Sequence, residues 1–112
     1  MTDRHYYDAH DVPRFAEIGE ARKELADKFF AWYGAVFEDG ALTKREKALI
    51  ALAVAHAVQC PYCIDAYTQE TLQAGGDLDQ MTEAVHVAAA IRGGASLIHG
   101  LQMRSHAAKV SM

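Results

Sequence analysis

Proline is nearly absent from this chain: Pro13 and Pro61 are the only two in 112 residues. Alternating runs of polar and β-branched residues are missing as well, and alanine is abundant. Together these features disfavour a sheet and favour an all-helical, all-α protein. No stretch reaches the roughly 18 uninterrupted apolar residues of a membrane span. Positive charge is not in excess, since the net charge is -4, and this argues against a nucleic-acid partner or an anionic membrane surface. The opening from Met1 to Asp11 is polar with three acidic residues, unlike a signal or transit peptide. A cytoplasmic, reducing location is therefore expected. Cysteine is scarce too: Cys60 and Cys63, in Cys60-Pro61-Tyr62-Cys63, are the only two. With no third thiol, the pair closes on itself or on nothing else within the molecule. In a reducing setting such a pair reads as a redox centre, or as half of a metal site, before it reads as a structural staple. Its disulfide would be transient and would cycle with turnover.

The length suits a single domain over 1–112. The first helix is expected from about Pro13 to Glu38, with an irregularity near Gly19 and a break at Glu38-Asp39-Gly40. Thr43 and Glu46 form a T-x-x-E capping box that opens a second helix. That helix is apolar almost all round through Leu49, Ile50, Leu52, Val54 and Val58, so burial is expected. It should end by Cys60, because the residue before a proline is driven out of the helical region. Pro61 suits the first position of the third helix, which should stop at Gly75-Gly76. Asp77 and Gln80 open a fourth helix, Gly93-Gly94 marks a break or tight packing point, and a last helix runs from about Ala95 to Ala108. The connections are short, so neighbouring helices should be antiparallel.

This layout places Cys60 at an N-cap and Cys63 in the first turn of the third helix. The positive end of a helix and its unpaired N–H groups stabilise a thiolate, the reactive form of cysteine. By that argument Cys60 is the more activated thiol. The arrangement is like that of disulfide oxidoreductases, except that a helix and not a strand precedes the motif. His56 lies one turn before Cys60 and, across the hairpin, at a depth similar to that of Cys63. It is thus placed to take a proton from either thiol. Its alternative is a buried histidine bonded to a carbonyl.

Other candidates are accessory. Glu46 lies ten residues before His56, roughly 15 Å along a straight helix, so no direct bond joins them. The capping box accounts for Glu46 without catalysis. Asp65 and Glu70 read as solvated charges. Tyr62 and Tyr67 carry hydroxyls able to bond a thiolate or a peroxide oxygen, although packing is the commoner role. His86, His99 and His106 would be needed to complete a zinc site with the two cysteines, but His99 and His106 are two turns apart, too far for one ion, so no metal is expected. The aromatic set Phe29, Phe30, Trp32, Tyr33 and Phe37 reads as core plus subunit contact. The apolar second helix in so small a chain points to extra burial by oligomerisation.

The run from Lys47 through Ala48-Leu49-Ile50-Ala51-Leu52-Ala53-Val54-Ala55 to His56, then Cys60-Pro61-Tyr62-Cys63-Ile64-Asp65-Ala66-Tyr67 and Ala74-Gly75, resembles the alkylhydroperoxidase D-like and carboxymuconolactone decarboxylase-like family. Glu83 to Gly94 and His99-Gly100 extend the likeness, so its core is 42–100. Tyr6-Tyr7-Asp8 and Tyr33 to Phe37 narrow it toward small peroxidase-like proteins associated with arsenosugar biosynthesis. The resemblance implies an all-α domain with a central antiparallel helix pair carrying the C-x-x-C at the N-terminus of one helix. It also implies a homo-oligomer, trimer or hexamer, that reduces peroxide through its cysteines without a bound cofactor. Carried over, Cys63 attacks the peroxide and Cys60 resolves, which is the reverse of the N-cap argument. The family's peroxidase branch has a glutamate and a histidine where this chain has Ala48 and Tyr67, so His56 is the expected substitute in the proton relay. The expected function is reduction of a small hydroperoxide or disulfide, with an external dithiol as reductant. The alternatives are a helical oligomer that senses redox state or holds zinc, and a decarboxylase-like enzyme using His56.

Overall fold

A computed structural model of the chain describes Asp8 and residues 10–111. A 3-10 helix at Val12–Glu20 leads into α1 (Lys23–Val36), α2 (Lys44–Ala57), α3 (Pro61–Gln73) and α4 (Leu78–Val110), with no strand among the described residues. The all-helical expectation holds. The expected single first helix does not, because the chain breaks at Arg22, whose backbone leaves the helical region (φ -141°, ψ 75°). The break lets the 3-10 helix fold back along α1. Phe15 packs edge-on against Phe29 and Phe30, with ring centroids 6.3 and 5.1 Å apart. Gly19 permits the approach, since a Cβ there would lie 3.0 Å from that of Ala26.

Both expected capping boxes form. Glu46 N–H donates to Thr43 Oγ1 at 3.1 Å, and Thr43 N–H donates to Glu46 Oε1 at 2.8 Å. Asp77 and Gln80 make the same exchange at the start of α4. α2 packs against α3 and α4 and buries one stripe, Ala48, Leu52 and Ala55. Leu52, Tyr67 and Met81 form the core cluster, and Tyr33, Phe37 and Cys63 pack around it. Burial of α2 on all sides is not realised within one subunit. Ile50, Val54 and Val58 are half or more exposed, because α3 and α4 pack mainly on the stripe of Ala48, Leu52 and Ala55. Lys47 ties α2 back to α1: its Nζ donates to the carbonyls of Val36 (2.8 Å) and Glu38 (2.5 Å) at the negative end of α1.

Two turns set the corners. At the end of α2, Cys60 N–H donates to Ala55 O at 2.9 Å and Gln59 N–H to His56 O at 3.3 Å. This is a Schellman motif, with Gln59 in the left-handed region at φ 56°. At the end of α3, Gly76 N–H reaches Thr71 O at 2.8 Å, with Gly75 at φ 90°. A Cβ on Gly76 would lie 2.5 Å from Thr71 Cγ2.

The break expected at Gly93-Gly94 is absent, and α4 runs unbroken for 33 residues through the expected last helix. A glycine inside a helix costs only about 1 kcal/mol, and neither glycine takes the left-handed backbone seen at the ends of α2 and α3. Beyond Ala88 no described residue of α4 is buried, and Ile91, Leu97, Ile98 and Leu101 face outward. The radius of gyration is 18.9 Å, against about 13 Å for a compact domain of about 100 residues. Among the described residues no helix is long and apolar enough to cross a membrane.

The two corners predict opposite responses. Gln59→Gly should raise the denaturation midpoint, worth about 0.5–1 kcal/mol, because glycine relieves the left-handed strain. Gly76→Ala should lower it by about 1–3 kcal/mol through overpacking on Thr71. Chemical denaturation followed by circular dichroism checks both signs.

Candidate functional site

The corner after α2 delivers the cysteines. Cys60 is the N-cap of α3, Pro61 opens the helix, and Cys63 N–H donates to Cys60 Sγ at 3.3 Å. The sulfur thus occupies the place where a capping oxygen usually sits. Both thiols are free and partly exposed. Burial, a hydrogen bond to Cys60 and the charge of Cys60 push the Cys63 thiol up to about 11, with its own backbone amide pulling the other way. The amide that opens α3 is thus directed at the Cys60 sulfur.

Cys63 opens onto an apolar cavity of about 440 Å³, whose walls include Tyr33 and Val36 from α1, Ile50 and Val54 from α2, and Tyr67 from α3. Cys60 and His56 are not among its walls. Tyr67 is buried and stacks on Phe37, centroids 5.2 Å apart at 19°, and Phe37 in turn packs on Tyr33 at 5.2 Å. These aromatic rings, with buried Ala48, fill the region where the resemblance places a carboxylate and an imidazole.

His56 is half-buried, with Nδ1 2.8 Å from Leu52 O. A carbonyl only accepts, so Nδ1 is the donor in this bond. Among the described residues His56 makes no hydrogen bond to a thiol. Glu46 is exposed and spent on its capping box, and the Thr43 amide holds its carboxyl below the usual range. Tyr62 points away from the cavity, and its hydroxyl donates to Asp11 Oδ2 at 2.8 Å. The structure thus brings Cys60 to Cys63 and Cys63 to Tyr67, but leaves Glu46 apart from them. Among the described residues no group of three or more His, Cys, Asp or Glu is disposed to hold a metal.

Sequence reasoning passed over two residues near the site. Arg92 donates from α4 to Ala57 O and pins the end of α2 beside the thiols. Tyr33, read as packing, shares the cavity with Cys63. The available signal was a hydroxyl in an otherwise phenylalanine-rich stripe, since a tyrosine facing the inside needs a polar partner.

Residues 23–103 match the carboxymuconolactone decarboxylase family. The chain belongs to that family. The family includes enzymes of both peroxidase and decarboxylase type. A protein of Paracoccus denitrificans known as uncharacterized protein 4 in cox locus is 45% identical over 83 residues, covering 74% of this chain and 75% of that one. A crystal structure of a Methanobacterium thermoautotrophicum protein superposes with a TM-score of 0.72 at 37% identity, covering 75% of this chain and 94% of its own. A carboxymuconolactone decarboxylase family protein from Legionella pneumophila, solved in its apo form, gives 0.66 at 33% identity over 78% of both chains. The match of the carboxymuconolactone decarboxylase family runs from the start of α1 into the exposed half of α4 and includes both cysteines.

The influence of Cys60 on Cys63 has a measurable sign. Cys60→Ala removes two of the three influences that raise Cys63. The midpoint of Cys63 alkylation by neutral iodoacetamide should therefore move to lower pH, with labelling near neutrality several-fold faster. A midpoint that stays in place would mean that burial alone sets it.

Proposed function

We propose that this chain is a thiol-dependent peroxidase that reduces a small hydroperoxide through Cys63 and Cys60, with disulfide reduction by the same pair as the neighbouring activity. The observation that carries the reading is the position of Cys63: it meets the cavity, while Cys60 lies behind it within disulfide reach of the same helix turn. In the monoanion, Cys63 passes its proton to Cys60 as its sulfur attacks the peroxide. The S–O bond forms, the O–O bond breaks, and an alkoxide leaves. His56 Nε2 holds the proton released when the pair first ionised and returns it to the alkoxide through solvent. Cys63 is now a sulfenic acid. Cys60 displaces its hydroxyl as water, using the proton Cys60 took up, and forms the disulfide. An external dithiol restores the pair by exchange.

The reading includes assembly into a homo-oligomer, a trimer or hexamer. It is supported by the uncovered apolar residues of α2 and of α4 beyond Ala88, more than a monomer ordinarily leaves in water. The narrower likeness to arsenosugar-associated proteins is part of the proposal as well. Of its residues, Tyr6 and Tyr7 lie outside those described, and genes for a methyltransferase and a radical enzyme beside this one would support it.

Mass spectrometry of the reduced protein with one equivalent of hydroperoxide tests the chemistry. Loss of two hydrogens, mapped to Cys60–Cys63 and abolished by Cys63→Ser, is the expected result, and thiols that stay reduced would refute it. His56→Ala should slow the step by about 10²-fold or more. For assembly, Leu97→Asp with Leu101→Asp should reduce the sedimenting mass and make helicity depend on dilution.

A further inference from the structure

The apolar cavity leaves the attacking sulfur with a problem. Cys63 sits among Val36, Ile50 and Val54, and its own backbone N–H is given to Cys60 Sγ. A thiolate forming there needs a donor. Titratable or charged groups reach the cavity from each of its three helices: Tyr33 on α1, Lys47 on α2 and Tyr67 on α3. Lys47 is engaged with the carbonyls of Val36 and Glu38. Tyr67 is fixed by its stack on Phe37. Tyr67, like Tyr33, makes no side-chain hydrogen bond among the described residues, but it lies on the same helix as Cys63, whereas Tyr33 reaches the cavity from α1. The Tyr33 ring is clamped between Phe29 and Phe37, at 5.5 and 5.2 Å.

The charges of Cys63 and Cys60, and then of Glu70, act on the phenol directly. Burial first and these charges second raise it above the ordinary range. Both influences favour the protonated phenol, which is the form that donates.

We infer that Tyr33 is a further catalytic residue of this site, its hydroxyl donating a hydrogen bond to the Cys63 thiolate in the apolar cavity that the two share. The inference rests on Cys63 being the attacking thiol. It assigns the charge-stabilising task, left open by Ala48 and Tyr67, to a side chain from α1. His56 accepts the proton, and Tyr33 holds the charge. No proton is lost from Tyr33, and no other reactant is required.

The test uses the full chain carrying Cys60→Ala, so that a single thiol reports. Alkylation of Cys63 by iodoacetamide is followed across pH by mass spectrometry, with and without Tyr33→Phe. Phenylalanine keeps the ring stack, and circular dichroism checks that the helices persist. The expected result is a midpoint moved to higher pH and labelling about tenfold slower near neutrality. Superimposable profiles would overturn the inference. A second measurement keeps the unaltered chain: with ring-carbon-labelled tyrosine, the Tyr33 resonance, assigned by its loss in Tyr33→Phe, should shift when Cys63 ionises. A resonance indifferent to Cys63→Ala would also overturn it. Neither readout requires peroxide turnover. A wild-type protein inert to hydroperoxide would therefore sink the peroxidase reading, while these profiles still decide the role of Tyr33.

Discussion

Cys60 belongs to two helices at once. Its N–H closes α2 by bonding Ala55 O, and its sulfur opens α3 by accepting the Cys63 N–H. Gln59 makes this possible by taking a left-handed backbone that a non-glycine residue adopts only at a cost. Pro61 then locks the exit, since its ring is preorganised for the first helical position and it has no N–H to lose there. Remove the turn and the thiols lose their spacing, the antiparallel pairing of α2 with α3, and the packing of Leu52 against Tyr67. Arg92 reinforces the same place from outside by bonding Ala57 O. The strained residue, the capping sulfur and the pinned carbonyl all lie within four residues of one another, counted from Ala57 to Cys60.

The aromatic column from Phe29 through Tyr33 and Phe37 to Tyr67 links this corner to α1. α1 buries no residue of its own. Its attachment depends on that column and on Lys47 at its negative end. The cavity beside Cys63 is therefore walled on one side by an element held by few contacts. Its width depends on how firmly α1 sits, and the edge-on contacts of Phe15 with Phe29 and Phe30 stiffen α1 from its far side.

Features that depend on neighbouring residues were legible in the sequence. The T-x-x-E and D-x-x-Q boxes, the proline at the start of α3 and the glycine pair after it all act within a few residues, and each appears where its chemistry requires. Gly93-Gly94 misled because glycine permits a break without enforcing one. The 3-10 helix was hidden in an apolar pattern that suits an α-helix nearly as well, and only the return of Phe15 onto α1 separates the two. The placement of Cys60 and Cys63 followed from local signals. That of Tyr33 did not, because its relation to the thiols spans thirty residues of chain and exists only after α1 has docked. His56 was legible as a neighbour of the thiols, yet its bond to Leu52 O, which leaves Nε2 free, is a rotamer choice that spacing does not reveal.

The two thiols divide opposing requirements. An attacking sulfur must meet its substrate, and Cys63, which takes that role in the proposed reaction, lies against apolar walls that disfavour its charge. The sulfur that the helix N-terminus favours lies behind it, away from the cavity. In the proposed reaction a pair sharing one proton meets both demands, which a single cysteine could not: the charge moves forward to Cys63 as the bond to oxygen forms. What limits such a pair is the cost of bringing the charge to the exposed position. On the proposed reading that cost is set by the hydrogen-bond donors available in the cavity, and the Tyr33 hydroxyl, carried there by the aromatic column, is a donor that the thiols' own helix does not supply.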